Sequence, residues 1–236
     1  MTEAVWEPVK MPEIRLASDR SKGPVSGILH WSDDSFALLV LAHGAGADMR
    51  HRFLAAVADD LAGQGVATLR FNFPYTELRR RAPDPQPVLE AYVRSVCAEA
   101  RALAPGLPLF AGGKSMGGRM TSNAFAKEPL EGVRGLVFLG FPLHPPKQPA
   151  SARGDHLASV TAPMLFLQGT RDDLAQIGLV RALCVKLGPR VTLREFEGAN
   201  HSFEVTKASG KTSEAVRKSL AVVVAGWLRE RSGAPG

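Results

Sequence analysis

The sequence predicts an α/β fold: a mostly parallel central sheet with helices on both faces. Three observations carry this. Strand-like and helix-like stretches alternate along almost the whole chain, the order that builds a parallel sheet from strand–helix–strand units. The run Phe36–Ala42 is continuously apolar, the pattern of a central strand buried on both faces. The 236 residues suffice for one large core, and no repeat, low-complexity block or linker divides them, so a single domain over 1–236 is expected.

The elements follow in order. Met11–Leu16 and Val25–Trp31 read as an opening antiparallel pair, followed by the Phe36–Ala42 strand. Phe53–Ala62 has helical apolar spacing and ends at Gly63 or Gly65. Val66–Phe73 is a strand, and Pro74–Pro87 is a long polar loop. Val88–Leu103 is a helix stopped by Pro105-Gly106. Leu107–Gly112 is a short buried strand, Gly118–Lys127 suits a helix, and Val133–Gly140 is the next strand. Phe141–Gly154 is too rich in proline for regular structure. Pro163–Gly169 is a strand, Leu174–Leu187 a helix, Val191–Phe196 the last strand and Thr212–Arg229 a closing amphipathic helix, with a frayed tail over Ser232–Gly236. Only about 20 residues separate the strand ending at Gly140 from that starting at Pro163, too few for a helical lid domain, so an open site is expected.

Composition excludes several classes. Hydrophobic residues make up 45%, which argues against disorder. No apolar run approaches the roughly 18 residues of a membrane span. The start, Met1–Pro8, has no basic region leading into an apolar stretch, so no secretory signal is expected. The only cysteines, Cys97 and Cys184, read as reduced helix residues, in keeping with a cytoplasmic protein. The net charge of +6 includes Arg79-Arg80-Arg81 in the polar loop. That run lacks interleaved aromatics and accompanies no nucleic-acid-binding motif, so it reads as solvated surface.

The chemistry centres on Gly113-Lys114-Ser115-Met116-Gly117. A Gly-x-Ser-x-Gly between a strand and a helix places the serine on a tight, strained turn with its hydroxyl exposed. The glycines let strand and helix approach closely. A serine hydroxyl needs a base to take its proton, and that base needs an orienting acid. The order serine, acid, histidine is met by Ser115, then Asp172 or Asp173 just after the Pro163–Gly169 strand, then His201 just after the last strand. A carboxylate at the carboxyl end of a parallel strand faces the edge where such sites form. The second aspartate then serves as helix cap or supporting partner.

An oxyanion needs backbone donors, here expected from Met116 and from the loop His43-Gly44-Ala45-Gly46-Ala47-Asp48, with Ala45 preferred and Gly46 its rival. His43 reads as a loop-shaping residue rather than a base. Arg70, Arg119 and His144 are candidate substrate contacts, the two arginines suited to an anionic group. His43, His51 and His144 have no metal-ligand spacing, and no phosphate-binding glycine pattern is present. Neither metal nor cofactor is therefore expected.

These segments, with Arg70–Tyr75, Phe138–Pro146, Gln168-Gly169-Thr170-Arg171-Asp172 and Gly198–Phe203, resemble an α/β-hydrolase. More narrowly, the chain is similar to small, lidless, dienelactone-hydrolase-like serine hydrolases. In that group the first aspartate after Gln-Gly-x-x holds the acid position, which favours Asp172. Dienelactone hydrolases proper carry cysteine where this chain has Ser115, which turns the expected substrate from dienelactone toward a carboxylic ester or thioester. The resemblance implies a small-molecule hydrolase. It leaves open an acyltransferase with the same three residues, or a binding protein that keeps the hydrolase shape, because fold alone does not decide function.

Overall fold

The structure, a computed structural model, describes residues 13–16, 23–31 and 34–233. Met11 and Pro12 of the expected first strand, and residues 234–236 of the tail, lie outside the described residues. Eight strands form one sheet: β1 (Glu13–Leu16), β2 (Val25–His30), β3 (Ala37–Ala42), β4 (Val66–Phe71), β5 (Leu109–Lys114), β6 (Val133–Leu139), β7 (Met164–Gly169) and β8 (Val191–Phe196). Their spatial order is β1-β2-β4-β3-β5-β6-β7-β8. β2 is antiparallel to both β1 and β4, and every other pairing is parallel. The carboxyl ends of β3, β5, β7 and β8 therefore open on the same edge of the sheet.

The helices are α1 (Arg52–Ala62), α2 (Pro74–Glu77), α3 (Gln86–Leu103), α4 (Met116–Lys127), α5 (Ile177–Leu187) and α6 (Ser213–Ser232). α1 packs against α6 on one face; α3 packs against α4 on the other. The central strands divide their side chains between the two faces. Leu39, Leu41, Phe110, Val137 and Leu165 belong to the α1–α6 core, whereas Leu38, Val40, Ala111, Leu136 and Phe166 belong to the α3–α4 core. That division explains the unbroken apolar run of β3: successive residues point to opposite faces, and both faces are covered.

Several boundaries differ from the expectations. β5 runs to Lys114 and α4 begins at Met116, so Ser115 alone joins them. The expected loop after β4 contains α2, which starts with Pro74 in its first turn, where a fixed φ and a missing N–H cost nothing. The proline-rich segment after β6 passes into a 3-10 helix over Ala152–Ser159. α5 starts at Ile177 rather than Leu174, because residues 172–176 form a turn held by the Asp172 carboxylate, which accepts from Leu174 N at 2.8 Å. α6 is capped by Thr212, whose hydroxyl accepts from Ala215 N at 3.1 Å, and runs past Arg229 to a left-handed Gly233.

Candidate active site

Ser115 sits at φ 52° and ψ −118°, a conformation that side chains rarely adopt. The surroundings enforce it. A Cβ on either Gly113 or Gly117 would overlap the carbonyl oxygen of Ala42 at the end of β3. β5 and the first turn of α4 thus both press on the same peptide, with only Ser115 between them to make the turn. On the loop after β3, a Cβ on Gly44 would lie 3.6 Å from Ser115 Cβ, so that loop borders the serine.

His201, in the loop after β8, places Nε2 2.9 Å from Ser115 Oγ. Its Nδ1 lies 2.7 Å from Asp172 Oδ2. The pairing assigns the proton: Nδ1–H donates to the carboxylate, which leaves Nε2 to accept from the serine hydroxyl. The Asp172 side chain is buried. Its Oδ2 also accepts from Gln168 Nε2 at 2.6 Å, and its Oδ1 holds the Leu174 amide. Asp173, by contrast, is exposed. It does not cap α5, which begins after Gln176 without a side-chain cap.

The two loops that carry Asp172 and His201 are fastened together. Arg171 N donates to Ala199 O at 2.9 Å, and Gly198 N donates to Thr170 Oγ1 at 2.9 Å. Asn200 braces the far side, its Oδ1 accepting from Ser202 N and Glu204 N, each at 2.9 Å.

A family model described as an alpha/beta hydrolase domain matches residues 35–229. The chain belongs to the α/β-hydrolase family. Solved structures similar to it include a dienelactone hydrolase of Anabaena variabilis, 20% identical, with a TM-score of 0.75 over 94% of this chain and 98% of that one. A Xanthomonas campestris α/β serine hydrolase without a lid is 20% identical, with a TM-score of 0.71 over 94% of this chain and 96% of that one. An esterase domain from a Rhodothermus marinus protein is 15% identical, with a TM-score of 0.72 over 94% and 99% of the two chains.

In this α/β hydrolase, Met116 is the first residue of α4, so its N–H has no partner within the helix and lies at the positive end of the helix dipole. Ala45 is exposed in the turn that Ala47 N closes on Gly44 O at 3.2 Å. His43 shapes this loop. Its ring is buried, Nδ1 lies 2.8 Å from Gly44 O, and Nε2 accepts from Phe73 N at 3.2 Å. An imidazole that donates at one nitrogen and accepts at the other is neutral, and burial pushes its pKa down to about 4.

Ser115, His201 and Ala45 line a cavity of about 1040 Å³ with Lys114, Phe53 and Phe203. The two phenylalanine rings stack 5.8 Å apart as an apolar wall. Arg70, Arg119 and His144, the expected substrate contacts, are not among the residues that line it. Arg70 is buried on β4 and donates to Met49 O at 3.0 Å, supporting the loop after β3 from behind. Arg119 lies half-buried along α4, within the fields of Arg153 and Glu90. His144 is buried, with Nδ1 2.8 Å from Pro145 O and Nε2 accepting from Gln176 N at 3.0 Å; it ties the segment after β6 to the start of α5.

Four residues of the site had no role in the sequence reading, Phe53 among them as the start of a helix only. Gln168 was seen only as part of a motif, Phe203 only as a neighbour of His201, and Lys114 only as the variable residue before the serine. Among the described residues no group of three or more His, Cys, Asp or Glu could hold a metal ion. No helix among them is long and apolar enough to cross a membrane.

Proposed function

We propose that this protein is a serine hydrolase that cleaves a carboxylic ester or thioester through an acyl-enzyme. The single observation that carries this reading is the continuous hydrogen-bond chain Ser115 Oγ–His201 Nε2 and His201 Nδ1–Asp172 Oδ2, at 2.9 and 2.7 Å. Ser115 Oγ attacks the carbonyl carbon while His201 Nε2 takes the hydroxyl proton. Asp172 holds the ring in the productive tautomer and stabilises the imidazolium as it forms. The Met116 and Ala45 N–H groups meet the oxyanion, each worth about 3 kcal/mol of transition-state stabilisation. His201 then returns the proton to the leaving alcohol or thiol. A water entering the cavity, activated by the same nitrogen, releases the acid.

The substrate in this reading is a small molecule whose acyl or leaving group lies against Phe53 and Phe203. Intact-protein mass after incubation with a fluorophosphonate tests it. One adduct is expected on the wild type and none on Ser115→Ala, with hydrolysis of short-chain esters lost in the same variant. A folded wild-type protein that takes no adduct would overturn the reading in favour of a non-catalytic binding role.

A further inference from the structure

Lys114 ends β5, directly before the proposed nucleophile. Its stem passes the loop after β3, where a Cβ on Gly44 would lie 3.9 Å from Lys114 Cγ. Its ammonium ends beneath Gly140, the residue that follows β6. A Cβ on Gly140 would lie 3.2 Å from Lys114 Nζ and 3.5 Å from His201 Nδ1, so both nitrogens border the same small space. The Phe203 ring centroid is 5.9 Å from Nζ. Nζ is buried and has no hydrogen-bond partner among the described residues. A buried ammonium without an acceptor weakens a fold.

The charged and titratable groups facing Nζ are few. The loop after β7 brings Asp172, whose charge acts on Lys114, and the loop after β8 brings His201. The segments after β3 and β6 bring Gly44 and Gly140, which have no side chains. On the proposed reading of the site, His201 must be unprotonated to accept the Ser115 proton. A buried carboxylate hydrogen-bonded to its other nitrogen, acting alone, pulls a proton onto the ring.

We propose that Lys114 is a positioning residue of this site, its unpartnered ammonium bordering His201 and offsetting the Asp172 carboxylate, so that the ring stays free to accept the Ser115 proton. The ammonium makes no hydrogen bond to Ser115 or His201 and acts through the histidine. Burial lowers its own pKa to about 8, so the ammonium stays charged in acidic solution.

This inference rests on the hydrolase reading, and its test separates the two. The rate of fluorophosphonate labelling is measured between pH 5 and pH 9. In that reaction the Ser115 oxygen forms a bond to phosphorus, fluoride leaves, and the serine proton passes to His201. The acid limb of the profile therefore reports protonation of His201 in the free protein, whatever the natural substrate. Lys114→Met and Lys114→Gln are compared with the wild type, and their melting temperatures verify folding; either variant suffices if the other does not fold. Both are expected to move the acid limb upward by about one pH unit, and Lys114→Arg to hold it near the wild-type position. An acid limb unchanged in the neutral variants would overturn the inference while leaving the hydrolase reading intact. A wild type that takes no label at any pH would overturn the reading itself, and this inference with it.

Discussion

Gln168 Nε2 donates to Asp172 Oδ2 at 2.6 Å, and the same amide accepts from Phe141 N at 3.0 Å through Oε1. One wholly buried side chain thus joins the segment after β6 to the carboxylate hydrogen-bonded to His201. Replacing it with an apolar residue leaves a buried N–H unpaired and removes one donor from a buried carboxylate. Gln168→Leu is expected to lower folding stability by about 1–3 kcal/mol and to slow Ser115 labelling by roughly tenfold, the equivalent of about 1.4 kcal/mol. Urea denaturation and labelling rates measured together check this. Loss of stability with unchanged labelling would mean that Gln168 supports only the fold.

Neighbouring aspartates stand in opposite environments. Asp172 is buried and hydrogen-bonded to His201, whereas Asp173 is exposed. Asp172→Asn leaves the shape nearly unchanged but presents an amide where His201 Nδ1 needs an acceptor, favouring the wrong tautomer. Its ester hydrolysis is expected to fall by about 10⁴-fold. Asp173→Asn changes only a surface charge, and its rate is expected to stay within about twofold of the wild type. Comparable losses in both variants would refute the assignment of the acid to Asp172.

The backbone at Ser115 gives a stability prediction independent of substrate. Both Ser115→Ala and Ser115→Gly remove the hydroxyl, but only glycine is at ease at φ 52° and ψ −118°. Strain of this kind costs on the order of 1–3 kcal/mol, partly offset by the larger entropy that glycine loses on folding. Ser115→Gly is expected to melt several degrees above Ser115→Ala. Equal melting temperatures would mean that the turn at Ser115 carries no strain.

The fold was legible because its signals are local. Continuous apolar strands, helix-length spacing and glycine or proline at most junctions are written in adjacent residues, and Gly113, Ser115 and Gly117 mark the sharpest junction between a strand and a helix. The side chains around the site were less legible, because their direction depends on which face of an element is covered. Arg70 lies on a strand packed on both sides, so its guanidinium turns inward to Met49 O rather than toward the cavity. His144 is claimed by the start of α5, a partner 32 residues away that no local pattern announces. Lys114 went unread for the opposite reason: it fills a position where the motif tolerates anything, and only the meeting of four loops shows its ammonium without an acceptor.

Two buried neutral histidines add to the acid sensitivity of this protein. Burial pushes both His43 and His156 from 6.5 down to about 4. A folded pKa below the unfolded one means that the unfolded chain binds more protons between those values. Stability therefore falls as pH drops from about 6.5 to about 4, and this contribution levels off below that range. For His43 the loss is of order 3 kcal/mol; the more exposed His156 adds less. His156 sits 2.8 Å from Ser122 Oγ through Nε2, outside the cavity, so it can be replaced without disturbing the serine. His156→Gln keeps a polar partner for Ser122 but cannot take up a proton. The difference in melting temperature between pH 7 and pH 4.5 is expected to be smaller in this variant than in the wild type. An undiminished difference would mean that His156 does not contribute to the acid sensitivity.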